Sequence, residues 1–156
     1  MREPRRSADV DDPDSACLAR DAGHFTPAFP GAGRRLDRGD PLLAGLREAC
    51  GEAEWAEGGF ADPDGVPYGI EEDGLVAAGN LTSFRGHPAD VGLLTHPAAR
   101  GRGLAKKIAV QMIRDALPAA GIIRYRALAT NSPSPAIARS LGFAGYGQNL
   151  IARPPA

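Results

Sequence analysis

From Leu104 onward apolar residues recur at helical spacing: Leu104, Ile108 and Met112 form one series and Ala105, Ala109, Ile113 and Ala116 another, with Lys107, Gln111 and Arg114 opposite. The pattern predicts a helix over about 103–117, stopped by Pro118. A shorter helix is predicted over about 41–51, where Asp40 and Pro41 supply a cap and first turn and Leu42, Leu43, Leu46 and Ala49 share a face. Between the two helices the period shortens to that of strands. Segments 68–71 and 75–84 flank a hairpin turn at Asp73-Gly74, and a second turn over 85–88 leads into 90–95. The intervening stretch 54–65, EWAEGGFADPDG, reads as turns.

Beyond Pro118, residues 122–129 alternate as a strand, with Tyr125, Ala127 and Ala129 on one side and Arg124 and Arg126 on the other. Ser134 and Pro135 open a short helix that runs to Leu141 and stops at Gly142, and 143–151 supplies one or two final strands. The order is helix, three strands, helix, strand, helix, strand, which makes a mixed α/β sheet. Residues 1–39 show neither period and read as an irregular or flexible leader before a folded domain over 40–156. With 156 residues in all, one domain can bury a real core.

Charge is lopsided: residues 1–96 carry 9 basic and 18 acidic side chains, whereas 97–156 carry 9 basic and 1 acidic, so the C-terminal part is about +8. A field of that sign favours a phosphate-bearing ligand. A nucleic-acid surface is disfavoured, because the basic residues are not interleaved with an aromatic stacking platform and the whole chain carries a net charge of only −1. No apolar run reaches the ~18 residues of a membrane span. Cys17 and Cys50 have neither zinc spacing nor disulfide density, which points to a reducing cytoplasm. The basic set is 16 Arg to 2 Lys in an Ala-, Gly- and Pro-rich chain, a bias that suggests a GC-rich bacterium.

The segment 95–110, THPAARGRGLAKKIAV, carries the first chemistry. A strand running into Arg100-Gly101-Arg102-Gly103 and then a helix offers unpaired N–H groups at a positive helix end, glycines that let a ligand approach the backbone, and guanidiniums for charge-assisted contacts. Neither a Walker loop nor the Gly-x-Gly-x-x-Gly of a dinucleotide fold is present, which leaves a mononucleotide or a pyrophosphate. A second constellation follows: Asn131, Ser134 and Ile137 at spacings of three, then Leu141-Gly142-Phe143.

Together these resemble the GNAT superfamily of acyl-CoA-dependent N-acetyltransferases. Arg100, Gly103 and Ala105 match its cofactor loop, Gln/Arg-x-x-Gly-x-Gly/Ala, and 131–143 matches its later segment, over a resemblance spanning about 55–153. The resemblance implies a mixed, mostly antiparallel sheet flanked by helices and splayed between the fourth and fifth strands. It implies acetyl-CoA as co-substrate, its pyrophosphate on the N–H groups from Arg100 through Gly101, Arg102, Gly103 and Leu104 to Ala105. The pantetheine arm would pair with Leu94-Thr95, touched from the other side by Asn131 and Ser134. The acetyl group would pass to the amine of a small-molecule or peptide acceptor, with no nucleic-acid or membrane partner and a homodimer as a possible assembly.

Where the family often has a general-acid tyrosine this chain has Ala138, so Tyr146 is the candidate replacement; a first strand is not evident either. Amine attack needs a proton acceptor, and Asp90, Glu57 and His96 are the candidates, Asp90 and His96 falling on one side by strand parity. Two other readings stay open: an acyl-CoA-binding regulatory module that has lost catalysis, and an unrelated nucleotide-binding protein.

Overall fold

The computed structural model describes residues 15–21, 25, 30–84, 86–128, 141 and 144–145, with backbone only for 15–21, 126–128 and 144–145. In chain order these form β1 (Ser15–Asp21), β2 (Arg34–Arg35), α1 (Pro41–Cys50), α2 (Glu52–Glu57), β3 (Val66–Glu72), β4 (Gly74–Phe84), β5 (His87–Thr95), a 3-10 turn (Pro97–Ala99), α3 (Leu104–Ala120), β6 (Ile122–Leu128) and β7 (Ala144–Gly145). The strands make one sheet in the order β2-β3-β4-β5-β6-β1-β7. Every pairing is antiparallel except β5 with β6, the pair expected to splay as fourth and fifth strands.

Local signals account for the helix starts. Asp40 accepts the Leu42 N–H at 3.0 Å, and Pro41 sits at the first position, where a missing donor costs nothing. Three expectations need correction. Pro118 does not end α3, which continues to Ala120 and closes on Gly121 at φ 75°, whose N–H bonds the Leu117 carbonyl. Pro118 lacks the N–H for a bond to the Arg114 carbonyl and crowds that carbonyl with its ring, a cost confined to the last turn, where the carbonyl of exposed Arg114 can tilt toward water. The stretch 54–57 is not a turn but the end of α2, held by burial of Trp55 with its ring 4.8 Å from that of Phe60.

The third correction concerns the leader, where no strand was expected. Ser15–Asp21 is a strand, paired along its length with β6 from Ser15↔Leu128 to Asp21↔Ile122 and with β7 at Leu18 and Ala19. Its partners lie more than a hundred residues away in sequence, so no local alternation announces it.

Side chains alternate between the two faces of the sheet. On one face Ile108, Met112, Ile113 and Leu117 of α3 pack on Tyr68, Leu81, Val91, Ile123 and Tyr125. On the other, Leu43 and Leu46 of α1 and Trp55 of α2 cover Ala78 and Leu94. Each Leu, Ile, Val or Met side chain taken from water here contributes about 1.5–3 kcal/mol.

One polar tie joins sheet and helix: the Tyr68 hydroxyl donates to Asp115 Oδ2 at 2.8 Å. Burial, then the Asp115 carboxylate, push the Tyr68 phenol up to about 12. Because the folded value lies above the unfolded one, this tie stabilises fully below about pH 10 and is lost as pH rises through about 12. Tyr68→Phe is expected to cost about 1–2 kcal/mol at pH 7 by urea unfolding. In an ultraviolet titration the tyrosine ionisation at about pH 12 should vanish in that variant.

Candidate active site

The path from β5 into α3 is shaped by short-range bonds. His96 donates its N–H to the Val76 carbonyl at 2.9 Å, one step beyond the β4–β5 ladder, and its Nδ1 accepts the Ala98 N–H at 3.0 Å, capping the 3-10 turn. Gly101 (φ 84°) and Gly103 (φ 75°) then bend the chain through the left-handed region, and Gly103 caps α3. Lys107 is the first residue whose N–H reaches back into the helix, to the Gly103 carbonyl at 3.3 Å, so the N–H groups of Leu104, Ala105 and Lys106 lack an intrahelical acceptor. A Cβ on Gly101 or Gly103 would meet no atom within 4 Å, so the ground before these donors is open. A bare, left-handed turn at the positive end of a 17-residue helix fits a diphosphate.

The two arginines stand differently from expectation, since carboxylates hold both. Arg100 Nη2 donates to Glu54 Oε2 at 2.7 Å and its Nε to the Thr95 carbonyl at 3.4 Å. Arg102 grips Glu72 through both terminal nitrogens, at 3.0 and 2.5 Å, and that bond holds the Glu72 carboxyl below its usual range. The turn is thereby tied to α2 on one side and to the β3–β4 hairpin on the other. A phosphate reaching either guanidinium competes with an exposed ion pair, which is a weak rival. Cys50 lies beside them, its thiol donating to the Thr95 carbonyl at 3.4 Å and pushed up by burial and Glu54 against the opposing pull of Arg100.

Along its other edge β5 pairs with β4 as far as Thr95↔Ala77, but toward β6 the described ladder holds just Asp90↔Arg124 and Val91↔Tyr125. The opening therefore starts after Val91 and runs toward the glycine turn. Leu94 anchors this part of β5, buried among the residues under α1 and α2. At Gly92 the backbone of the Gly58-Gly59 turn lies directly on β5: a Cβ there would stand 1.9 Å from the Gly58 carbonyl oxygen. Asn80 pins that turn, donating from Nδ2 to the Gly59 carbonyl at 2.7 Å.

At the closed end sits Asp90, 6% exposed. Its Oδ2 accepts from Arg124 Nη2 at 2.8 Å and, at the limit of bonding, from Thr82 Oγ1 at 3.5 Å, while Oδ1 has no hydrogen-bond partner among the described residues. Burial raises the Asp90 carboxyl above the ordinary range, with Arg124 opposing. The three candidate proton acceptors are not gathered together: His96 caps a turn past the far end of β5, and Glu57 is exposed at the end of α2, one residue before Gly58. Asp90 and His96, expected on one side by parity, lie toward opposite ends of β5, and the His96 ring is engaged in capping the 3-10 turn. Asn131, Ser134, Ala138 and Tyr146 lie outside the described residues.

Sequence reasoning missed Gly92 and Arg124. Glycine inside a strand marks a close backbone approach and could have flagged the first. Nothing local could have flagged the second, since its partner is set by the register of a parallel pair.

A family model described as GNAT acetyltransferase matches residues 59–148, more than half of the chain. The chain belongs to the GNAT acetyltransferase family. Solved structures agree in fold. A GNAT-family acetyltransferase from Colwellia psychrerythraea superposes with a TM-score of 0.67 at 17% identity, over 85% of this chain and 52% of that one. A protein of Novosphingobium aromaticivorans assigned to the GNAT family does so at 0.59 with 27% identity, over 84% and 60%. A GCN5-related N-acetyltransferase from Kribbella flavida gives 0.55 at 22%, over 83% and 53%. This GNAT chain thus spans about half to three fifths of the length of those structures. No curated protein matches it. Among the described residues no helix is long and apolar enough to cross a membrane.

Proposed function

We propose that this GNAT chain transfers the acetyl group of acetyl-CoA to a primary amine. The observation that carries the reading is the continuity between an opening in the sheet at β5–β6 and a bare left-handed turn at the N-terminus of α3. A diphosphate on the N–H groups of Leu104, Ala105 and Lys106 leaves an attached chain free to run along the edge of β5, past Thr95 and Leu94, toward Val91. Acetyl-CoA supplies a thioester carbonyl for attack.

Of the three candidate bases Asp90 has the environment suited to the task. It is buried, its carboxyl is raised toward working pH, and it stands at the closed end of the opening. The amine nitrogen bonds to the thioester carbon, the carbon–sulfur bond breaks with its electron pair going to sulfur, and the amine proton passes to Asp90. The thiolate of CoA leaves, and with an ordinary thiol value near ~8.5 it can take its proton from solvent.

The test is incubation of the full chain with acetyl-CoA and a panel of amines (α-amino acids, polyamines, aryl amines and lysine peptides), following release of free CoA thiol. Amine-dependent release is expected, and Asp90→Asn should lower kcat/KM by about 10²–10⁴-fold while leaving CoA affinity in place. Tight CoA binding with no release for any amine would sink the enzymatic reading in favour of a regulatory module. Preference for ATP over CoA would sink the cofactor reading as well.

A further inference from the structure

We infer that Arg124 is a positioning residue for this transfer: it holds Asp90 across the closed end of the β5–β6 opening through Oδ2 and leaves Oδ1 to meet the acceptor amine. The inference rests on the reading of Asp90 as proton acceptor. Its ground is geometric. Asp90 and Arg124 are register partners on the two parallel strands, one step before the ladder ends at Val91↔Tyr125, so their 2.8 Å bond bridges the strands where the opening begins. The guanidinium stacks 4.4 Å over the Phe84 ring and is 15% exposed, which fixes its plane and limits competing water.

Asp90 Oδ1 is inside the protein with no hydrogen-bond donor among the described residues. A buried carboxylate oxygen left without a donor is costly, and an N–H from a bound amine is the complement that relieves it. The groups around Asp90 can be named strand by strand. Thr82 faces it from β4 and Arg124 from β6; His87 is exposed at the start of its own strand; Glu57 is exposed at the end of α2. Among the described residues, therefore, Arg124 is the charged group that bonds it. Burial pushes the Asp90 carboxyl up and Arg124 pulls it down, so removing the guanidinium lets burial act unopposed. A base whose carboxyl rises loses its ionised form at neutral pH and regains it as pH increases.

The experiment compares pH profiles of kcat/KM for thiol release, using acetyl-CoA and whichever panel amine turns over fastest, in the parent, Arg124→Met, Arg124→Lys and Asp90→Asn. Arg124→Met is expected to lose about ten-fold or more at pH 7, to recover as pH is raised, and to bind CoA as the parent does by calorimetry. Arg124→Lys should restore much of the neutral rate and return the acidic limb toward the parent's position. A loss in Arg124→Met that is the same at every pH, with its acidic limb unmoved, overturns the positioning role. Asp90→Asn separates the two readings: parental activity there removes the proton-acceptor reading and this inference with it. A dead Asp90→Asn beside an unmoved Arg124→Met limb removes the inference alone. Should Arg124→Met fail to fold, Phe84→Leu takes away the ring under the guanidinium while keeping both charges, and it should move the limb in the same direction by less.

Discussion

Gly103→Val is expected to weaken CoA binding at least about 100-fold while the domain stays folded. Gly103 holds φ 75° as the cap of α3, and an L-residue in that region costs about 1–2 kcal/mol, more with a branch at Cβ. The chain relieves this by rotating out of the left-handed region, and the N–H groups of Leu104, Ala105 and Lys106 then cease to converge. Nothing lies within 4 Å of the position of a Cβ, and the turn is exposed, so the damage stays local. Gly103→Asn, which tolerates the same φ, should lose much less. Calorimetry with CoA beside a thermal melt decides the matter. Undiminished affinity in Gly103→Val, with an unchanged melt, would show that the diphosphate binds elsewhere.

Among the described glycines, Gly92→Ala should be the most damaging added methyl, costing about 3 kcal/mol in urea unfolding. The added Cβ would stand 1.9 Å from the Gly58 carbonyl oxygen, a backbone atom that no rotamer change can move. To make room, the Gly58-Gly59 turn must lift from β5 and drag on the Asn80 bond to the Gly59 carbonyl. The same substitution at Gly45 predicts the opposite sign. That glycine is exposed in α1 with nothing within 4 Å of a Cβ, so alanine there should stabilise by about 0.5–1 kcal/mol. If both variants shift the urea midpoint alike, the close approach at Gly92 is not a real constraint on the fold.

The pair also shows where local pattern stops being informative. Both positions are glycine in the sequence, and helix propensity alone speaks to Gly45. What Gly92 requires depends on a turn more than thirty residues earlier lying across the strand.

Short-range chemistry determined much of this protein. Asp40-Pro41 started α1, the 3.6-residue repeat from Leu104 set the buried face of α3, Asp73-Gly74 turned β3 into β4, and Arg100 to Gly103 bent the chain between β5 and α3. These features rest on bonds and φ angles within a few residues, so they are written in adjacent letters, and the glycine turn proposed to hold the diphosphate is among them. The rest was decided in three dimensions. The strand Ser15–Asp21 exists through its pairing with β6 and β7, and Trp55 turns EWAE helical by being buried. Arg100 and Arg102 meet carboxylates that the fold brings from α2 and β3. Asp90, one of three candidate bases in the sequence, owes its burial and its bond to Arg124 to the surrounding strands and to the parallel register of β5 and β6. Hydrogen-bond register and desolvation belong to pairs of distant segments, and neither has a local signature in the chain.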